Sequence, residues 1–329
     1  MRRWSVDLKS TAWMTSRLLQ PVADALVAGE LVGIPTETVY GLGADATNGR
    51  ACANIYAAKG RPSFNPLISH VESLEAAQRH GVFDERALKL ARAFWPGPLT
   101  LVLPRRDGSP IADLVTAGLD TLALRVPDAP VMRWLAEASG RPLAAPSANL
   151  SGKISATTAD DVITDLGDRI GHVIDAGPCP IGVESTIVSL AGPRATLLRP
   201  GGLPRTEIEA LIGEPLALAA SDDAAPMAPG MMTSHYAPGA SVRLAVAELH
   251  PGEALLAFGP SLPRNADLAV AQFNLSVTGD LSEAAANLFT GLRRLDLSGA
   301  GSIAVQPIPL EGLGEAINDR LRRAAAPRS

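Results

Sequence analysis

The 329-residue sequence has few cysteines, few lysines and no long hydrophobic run. Its two cysteines, Cys52 and Cys179, are too far apart for a CxxC pair and too few for a disulfide framework, which favours a reducing compartment. No stretch approaches the roughly 18 uncharged apolar residues of a membrane span. The basic start, Met1-Arg2-Arg3, is followed by polar residues rather than by the apolar core of a signal peptide. We therefore expect a soluble, cytoplasmic protein without membrane contact.

The sequence also lacks an excess of basic residues. Its 29 Lys and Arg residues are outnumbered by 34 Asp and Glu residues, which gives a net charge of −5. The whole excess lies beyond residue 202, because residues 1–202 carry 20 basic and 20 acidic side chains. This balance argues against a protein that holds nucleic acid mainly by neutralising phosphates, although a local basic groove stays open.

Several catalytic signatures are missing as well. The Gly152-Lys153 pair is followed by Ile154, where a Walker A loop needs Ser or Thr. The histidines and cysteines show no zinc-binding spacing, and no G-x-S-x-G elbow occurs. Residues 41–46 match the letters of a dinucleotide fingerprint, but six residues separate them from the preceding strand. Structural zinc and hydrolase-type covalent catalysis are disfavoured, and any triphosphate must be bound by other means.

What the sequence does contain is an alternation of apolar runs and amphipathic stretches, which predicts an α/β fold. Hydrophobic residues make up 47% of the chain, so its 30 Gly and 27 Pro residues punctuate a folded protein. The length predicts two domains of about 150 residues each. A Pro/Gly-rich stretch over 219–230 predicts a linker. Thr157 is the predicted N-cap of the helix over 158–166. Strands are predicted at 31–34, 67–71, 99–103, 121–126, 172–174, 186–190, 242–246, 254–258 and 303–305, and helices at 14–27, 48–58, 84–94, 129–138, 158–166, 206–212, 282–297 and 312–325.

Polar loops next to these strands are the candidates for chemistry, because α/β proteins bind ligands beyond the carboxyl ends of strands. The loops at 35–41, 145–152 and 182–186 offer hydroxyls, carboxylates and an amide, and each is otherwise a polar turn or entry to a strand. Lys59 and Arg61 share a Gly/Pro loop, where they either bind phosphates or end a helix in solvent. Arg125 lies in an apolar run, where a charge needs a partner or a site, and a guanidinium suits a carboxylate.

Six ordered motifs in these loops resemble the YrdC-like family and, within it, the long form of the threonylcarbamoyl-AMP synthases, which has an extra C-terminal domain. The similarity continues through His235-Tyr236-Ala237-Pro238. It implies a YrdC-like open twisted sheet with helices over residues 14–202, a linker or lid over 203–239 and a smaller Rossmann-like parallel α/β domain over 240–329. The motifs are Pro35-Thr36-Glu37-Thr38-Val39-Tyr40-Gly41-Leu42-Gly43, Lys59-Gly60-Arg61-Pro62 with Asn65-Pro66-Leu67, Trp95-Pro96-Gly97-Pro98-Leu99-Thr100, Ala145-Pro146-Ser147-Ala148-Asn149, Glu184-Ser185-Thr186-Ile187 and Leu198-Arg199-Pro200-Gly201.

The resemblance implies a nucleotidyltransferase that makes L-threonylcarbamoyladenylate and pyrophosphate from L-threonine, bicarbonate and ATP with Mg²⁺. A tRNA threonylcarbamoyl transferase complex would receive the product and modify the adenosine beside the anticodon, which allows for a weak or transient contact with tRNA. No metal site on the protein is implied, and Lys59, Arg61 and Arg199 would supply the catalytic charge. The implied ATP site comprises Lys59, Arg61, Ser63, Thr121, Ala145, Ser147, Asn149, Ser155, Arg199 and Tyr236, and the implied threonine site comprises Thr36, His70, Arg125 and Ser185.

Two other functions stay open. A YrdC-like RNA-binding module would bind tRNA tightly without threonine-dependent turnover, but the neutrality of residues 1–202 counts against it. A carbamoyl-adenylate enzyme of the hydrogenase-maturation type uses the same fold, but two distant cysteines cannot build the zinc finger of that class. Without the resemblance, His235-Tyr236 would be incidental surface. Asn318, Arg320 and Arg322 on the last helix are either a docking face or solvated.

Overall fold

The computed structural model describes residues 1–219 and 235–327. Its strands form two sheets, one of eleven strands with mixed directions and one of four parallel strands. The predicted combination of an open sheet with helices and a smaller parallel α/β layer is confirmed. None of the helices in these residues is both long enough and apolar enough to cross a membrane.

The large sheet has the spatial order β1-β8-β2-β3-β7-β4-β6-β5-β9-β10-β11. Its centre combines both kinds of pairing, since β4 is parallel to β6 and antiparallel to β7. The strands are β1 (Arg2–Ser5), β2 (Val32–Ile34), β3 (Gly41–Asp45), β4 (Ile68–His70), β5 (Leu99–Pro104), β6 (Thr121–Arg125), β7 (Leu143–Ala144), β8 (His172–Asp175), β9 (Thr186–Ser189), β10 (Thr196–Arg199) and β11 (Ala217–Leu218).

Helices cover the large sheet unevenly. The largest apolar core takes side chains from α3, α5, α8 and α9, while a second core joins α2 and α7 to β2 and β7. A small apolar cluster on β4, β5, β6, β9 and β10 takes no side chain from a described helix. The helices are α1 (Ala12–Thr15), α2 (Gln20–Val27), α3 (Gly49–Lys59), α4 (Leu74–Gln78), α5 (Glu85–Phe94), α6 (Asp113–Thr116), α7 (Pro130–Ser139), α8 (Ala159–Leu166) and α9 (Arg205–Ile212).

The small sheet has the order β12-β15-β13-β14. Its apolar core is continuous with residues of the first part of the chain, since Val39, Ile154 and Val183 belong to the same buried cluster as Phe289 and Ile317. The small layer therefore packs directly against the segments that follow β2, β7 and β8. Its elements are β12 (Ser241–Arg243), β13 (Glu253–Ala257), a 3₁₀ turn (Ala266–Leu268), β14 (Gln272–Asn274), α10 (Leu281–Asp296), β15 (Ser302–Val305) and α11 (Gly314–Ala325).

Local sequence explains both ends of α3 and the start of α8, while the predicted helix over 14–27 is wrong, because the chain forms the two separate helices α1 and α2 there. The side chain of Asn48 caps the start of α3, and Gly60 ends that helix in the left-handed conformation with φ of 61°. The predicted cap at Thr157 is wrong by one residue, because Thr158 caps α8. Its side chain accepts from the N–H of Asp161, whose carboxylate accepts from the N–H of Thr158 in return.

The apparent dinucleotide fingerprint is a strand. Gly41 and Gly43 lie in β3, antiparallel to β2, so this stretch does not form the loop that opens a helix in a dinucleotide site. A Cβ on Gly43 would lie 2.4 Å from Cδ1 of Ile34, which explains the glycine by close packing.

The predicted linker or lid over 203–239 lies partly outside the described residues. In its described part, α9 packs against α5, and β11 pairs with β10 in the large sheet.

Candidate active site

A cavity lies on the sparsely covered face of the large sheet. Ile68 and His70 alternate along β4 and so project from the same face, and Arg125 on β6 is the register partner of His70. Strand side chains form the floor of this cavity and loops form its walls, whereas the sequence suggested loops beyond the strand ends alone. The lining residues are Thr36, Thr38, Val39, Gly41, Arg61, Ile68, His70, Arg125, Ala145, Pro146, Ser147, Glu184, Ser185, Arg199, His235 and Tyr236.

All four residues predicted to bind threonine line this cavity. Thr36 Oγ1 lies 2.9 Å from Thr38 Oγ1 and donates to the carbonyl oxygen of Val39 at 2.6 Å, which closes the turn after β2. Ser185 Oγ lies 2.7 Å from Thr100 Oγ1. Burial and the charge of Arg125 lower the pKa of His70 to about 3, so its imidazole is neutral at physiological pH.

Arg125 is held on one side by a carboxylate that sequence reasoning did not include in the site. Its Nη2 donates to Oε1 of Glu37 at 2.6 Å and to Oγ1 of Thr38 at 3.0 Å, while its Nε donates to the carbonyl oxygen of Gly97 at 3.2 Å. The side chains of Arg125 and Glu37 are only 4% and 6% exposed. A charge in an apolar strand thus has both of its expected explanations, a partner and a cavity.

A second group of cations borders the cavity from the end of α3. Lys59 Nζ donates to the carbonyl oxygens of Ser147, at 2.6 Å, and Asn149. Arg61 Nη2 donates to Oδ1 of Asn65 at 2.6 Å and to the carbonyl oxygen of Pro66 at 2.9 Å. Burial lowers the pKa of Lys59 well below its usual value and that of Arg61 to about 10. Because these acceptors are all neutral oxygens, this end of the cavity favours an anion.

Arg199, at the end of β10, holds the opposite wall. Its Nε and Nη2 donate to the carbonyl oxygen of Ser185, at 3.2 and 2.9 Å, and burial lowers its pKa. Next to it, Glu184 accepts from Ser155 Oγ at 2.5 Å and from Nε of Arg320 at 2.8 Å. Although burial raises the pKa of Glu184, the charges of Arg320 and Arg199 lower it to about 2, so this carboxylate stays ionised.

The last helix therefore contributes to the site. Arg320 is fully buried on α11, so its interpretation as solvated or docking surface is wrong. It pairs with Glu184, 136 residues earlier, and its guanidinium carbon lies 5.2 Å from the ring centre of Tyr236. Only the tertiary fold brings these residues together, and no local pattern in the sequence announces the pair.

His235 and Tyr236 close the cavity from the side of the small sheet. Tyr236 is 1% exposed, has a positive φ of 62° and stacks on Phe289 with ring centres 5.5 Å apart. Burial lowers the pKa of His235 to about 3, so this imidazole is neutral too. The N–H of Ala237 donates to the carbonyl oxygen of Gly152 at 2.9 Å. The alternative of incidental surface is wrong, because both rings are buried.

Five of the predicted ATP-site residues do not line the cavity itself. Three of them lie directly behind residues of the cavity wall, since Lys59 is bonded to Ser147 and Ser155 to Glu184. The third is Asn149, whose carbonyl oxygen accepts from Lys59 and whose Nδ2 donates to the carbonyl oxygens of Leu150 and Lys153. Ser63 is exposed in the loop after α3. Thr121 begins β6, four residues and about 13 Å along the strand from Arg125. A nucleotide would have to extend along the sheet to meet Thr121, whose role stays a prediction.

The fold and the cavity define a YrdC-like α/β protein whose site suits small anions. The family model described as "Telomere recombination" matches residues 24–201, more than half of the chain, and the one described as "Threonylcarbamoyl-AMP synthase, C-terminal domain" matches residues 203–326. The chain belongs to the threonylcarbamoyl-AMP synthase family, whose members are enzymes.

Named relatives and a solved structure resemble almost the whole chain. Threonylcarbamoyl-AMP synthase of Bacillus subtilis is 39% identical over 99% of this chain and 98% of its own length. The protein of that name from Pyrococcus abyssi is 42% identical over 90% of this chain and 91% of its own length. The crystal structure of P. abyssi Sua5 complexed with L-threonine superposes with a TM-score of 0.89 at 39% identity, covering 99% of this chain and 98% of that one.

Proposed function

We propose that this enzyme uses the cavity to make L-threonylcarbamoyladenylate and pyrophosphate from L-threonine, bicarbonate and ATP. The observation that carries the proposal is the placement of two different anion-binding groups around one cavity. Lys59 and Arg61 offer positive charge without carboxylate hydrogen-bond partners, which suits phosphates, and Arg125 offers a guanidinium to a carboxylate. The likeness to a protein crystallised with L-threonine supports threonine as a ligand, and the guanidinium of Arg125 suits the carboxylate of that amino acid.

The reaction needs positioning and charge rather than a covalent nucleophile. The threonine amine and bicarbonate form a carbamate and water. A carbamate oxygen then bonds to the α-phosphorus of ATP while the bond to the β-phosphate oxygen breaks, and pyrophosphate leaves with that electron pair. In this proposal Lys59, Arg61 and Arg199 stabilise the charge that develops on the phosphates, and Arg125 fixes the threonine carboxylate. The neutral imidazoles of His70 and His235 can hydrogen-bond to the substrates at the same cavity, and their pKa of about 3 makes both of them weak bases.

In this proposal the wall formed by His235 and Tyr236 protects the reaction intermediates from water. Carbamates and mixed anhydrides hydrolyse in water, and His235 and Tyr236 bury the cavity from one side.

We propose that Mg²⁺ enters as the partner of the ATP phosphates and is part of the substrate. Within residues 1–219 and 235–327, no group of three His, Cys, Asp or Glu side chains is placed to hold a metal ion. Transfer of the product to a tRNA-modifying complex in the cytoplasm, for the adenosine beside the anticodon, completes the proposal.

Pyrophosphate release is the direct test. We expect it to require threonine and bicarbonate together, and mass spectrometry should find the threonylcarbamoyl adenylate with threonine and not with other amino acids. ATP turnover that ignores threonine contradicts the proposal. Tight, salt-sensitive tRNA binding without threonine-dependent turnover would favour the RNA-binding alternative instead.

Replacing Arg125 by alanine tests the amino-acid end. Because the guanidinium would bind the threonine carboxylate, we expect R125A to raise the threonine KM by roughly 100-fold, about 3 kcal/mol, with a smaller effect on the ATP KM. An unchanged threonine KM would place the amino acid elsewhere.

A further inference from the structure

We propose that Glu37 is a positioning and specificity residue that makes the Arg125 end of the cavity fit a zwitterion and reject phosphate. The inference deepens the proposed function and rests on its assignment of Arg125 to the amino acid. Glu37 itself does not line the cavity, so it acts through Arg125.

The first step is that Glu37 fixes the orientation of Arg125. Oε1 of Glu37 accepts from Nη2 of Arg125 at 2.6 Å and from the N–H of Asp128 at 3.0 Å, so the carboxylate is itself anchored. Nε of Arg125 is taken by the carbonyl oxygen of Gly97. Among the described residues, Nη1 of Arg125 has no hydrogen-bond partner, so it is the nitrogen left for a ligand. Glu37 thus determines which edge of the guanidinium faces the cavity.

The second step is a contrast in charge between the two ends. The hydrogen-bond acceptors of Lys59 and Arg61 are carbonyl and amide oxygens, so neither cation is bonded to a carboxylate. Arg125 and Glu37 instead form a buried pair with no net charge. A polyanion gains most at the first end. An amino-acid zwitterion also has no net charge, so it can enter the second end without leaving a net charge buried.

The third step is the discrimination that the reaction requires. The proposed reaction releases pyrophosphate beside the amino-acid site, and an uncompensated Arg125 would be a further phosphate-binding group there. The carboxylate of Glu37 opposes a second anion at that position by like-charge repulsion. Its other oxygen, Oε2, is buried without a hydrogen-bond partner among the described residues. An unsatisfied carboxylate oxygen is a cost that fold stability alone does not explain.

The test compares E37Q with E37D and with a matched control, E253Q. Glu253 is also a buried carboxylate that accepts from an arginine, Arg243 at 2.6 Å, and from a backbone N–H, that of His250 at 2.8 Å, but it lies in the small sheet. Calorimetric titration of the full-length protein with threonine, and separately with pyrophosphate, gives the affinities. Competition between the two ligands shows whether they share a site, and thermal unfolding shows that each variant is folded.

In the wild type we expect pyrophosphate not to compete with threonine. We expect E37Q to bind threonine about 10-fold more weakly and to let pyrophosphate compete with it. E37D keeps the charge but withdraws it from Arg125, so it should lose threonine affinity and still exclude pyrophosphate. E253Q should match the wild type in both titrations. The proposal is overturned if E37Q binds threonine within twofold of wild type, if its affinities for threonine and pyrophosphate fall equally, or if the wild type binds no threonine. Wild-type threonine binding without threonine-dependent pyrophosphate release contradicts the proposed reaction alone, and the comparison of variants remains decisive for Glu37.

Discussion

Replacing Arg320 by glutamine should leave the buried carboxylate of Glu184 without its arginine partner and so destabilise the protein. Arg320 is fully buried on α11, and its Nε donates to Oε2 of Glu184 at 2.8 Å. Its Nη1 donates to Oδ2 of Asp319 at 2.5 Å, so the guanidinium has little freedom to move. Although burial raises the pKa of Glu184, the charges of Arg320 and Arg199 bring it to about 2. Of these two arginines, Arg320 lowers the pKa of Glu184 more, and the variant removes its charge.

The lowered pKa gives the size of the effect. A drop from 4.5 to about 2 corresponds to roughly 3 kcal/mol of unfolding free energy at neutral pH. Because the folded-state pKa lies below the unfolded-state value, this stability is present above about pH 4.5 and is lost as the pH falls towards 2. Breaking one side of a buried ion pair costs about 3–5 kcal/mol in other proteins, which agrees in scale.

Urea unfolding of wild type and R320Q, at pH 7 and at pH 5, measures this. We expect R320Q to lose about 3 kcal/mol at pH 7 and less at pH 5, because burial raises the pKa of the stranded Glu184 and the carboxylate then takes up a proton. R322Q is the matched control, since Arg322 is exposed on the same helix, and it should change stability by less than about 0.5 kcal/mol. A loss below 1 kcal/mol at pH 7, or a loss that grows on acidification, would refute the reasoning.

Two further substitutions test the cation at the end of α3 and the glycine in β3. K59A should lower kcat for pyrophosphate release by at least about 100-fold, because the charge beside the phosphates is lost. The control K89A replaces an exposed lysine and should keep the wild-type kcat. Equal kcat values for the two variants would mean that the phosphates do not bind near the end of α3. G43A should cost roughly 1–3 kcal/mol in urea unfolding, because its Cβ would lie 2.4 Å from Cδ1 of Ile34. G49A, whose Cβ would lie 4.0 Å from Cβ of Ala112, should be neutral, and equal costs for the two variants would rule out the packing explanation.

The fold could be predicted from the sequence where periodicity is strong. Apolar runs such as those of β5 and β6, and the amphipathic patterns of α5 and α10, mark the elements within a few residues. The glycine-rich β3 could not be found in this way. Its glycines match the letters of a dinucleotide fingerprint, but they serve the packing of β2 against β3, and that requirement exists only once the strands are paired. The two-residue β7 and β11 are too short to show any period.

The candidate site was partly predictable for a different reason. Polar residues in Gly/Pro loops and a charge in an apolar strand are unusual choices in a sequence, so Lys59, Arg61 and Arg125 stand out individually. Their partners do not. Glu37 lies in a polar stretch that also fits a turn, and Arg320 lies on an amphipathic helix that has other arginines, so neither residue looks costly until the fold buries it.

This difference between cations and their partners follows from the physics of burial. A single charge in an apolar run is visible because desolvation penalises it wherever it lies, so the sequence alone demands an explanation. A compensating charge has to be close in space but not along the chain, and here the separations are 88 residues for Glu37 and Arg125 and 136 residues for Glu184 and Arg320. Such pairs decide which cations remain available to a ligand. Of the buried cations around this cavity, Arg125 and Arg320 are bonded to carboxylates, whereas Lys59 and Arg61 meet neutral oxygens, and this sorting gives the two ends of the cavity their different chemistry.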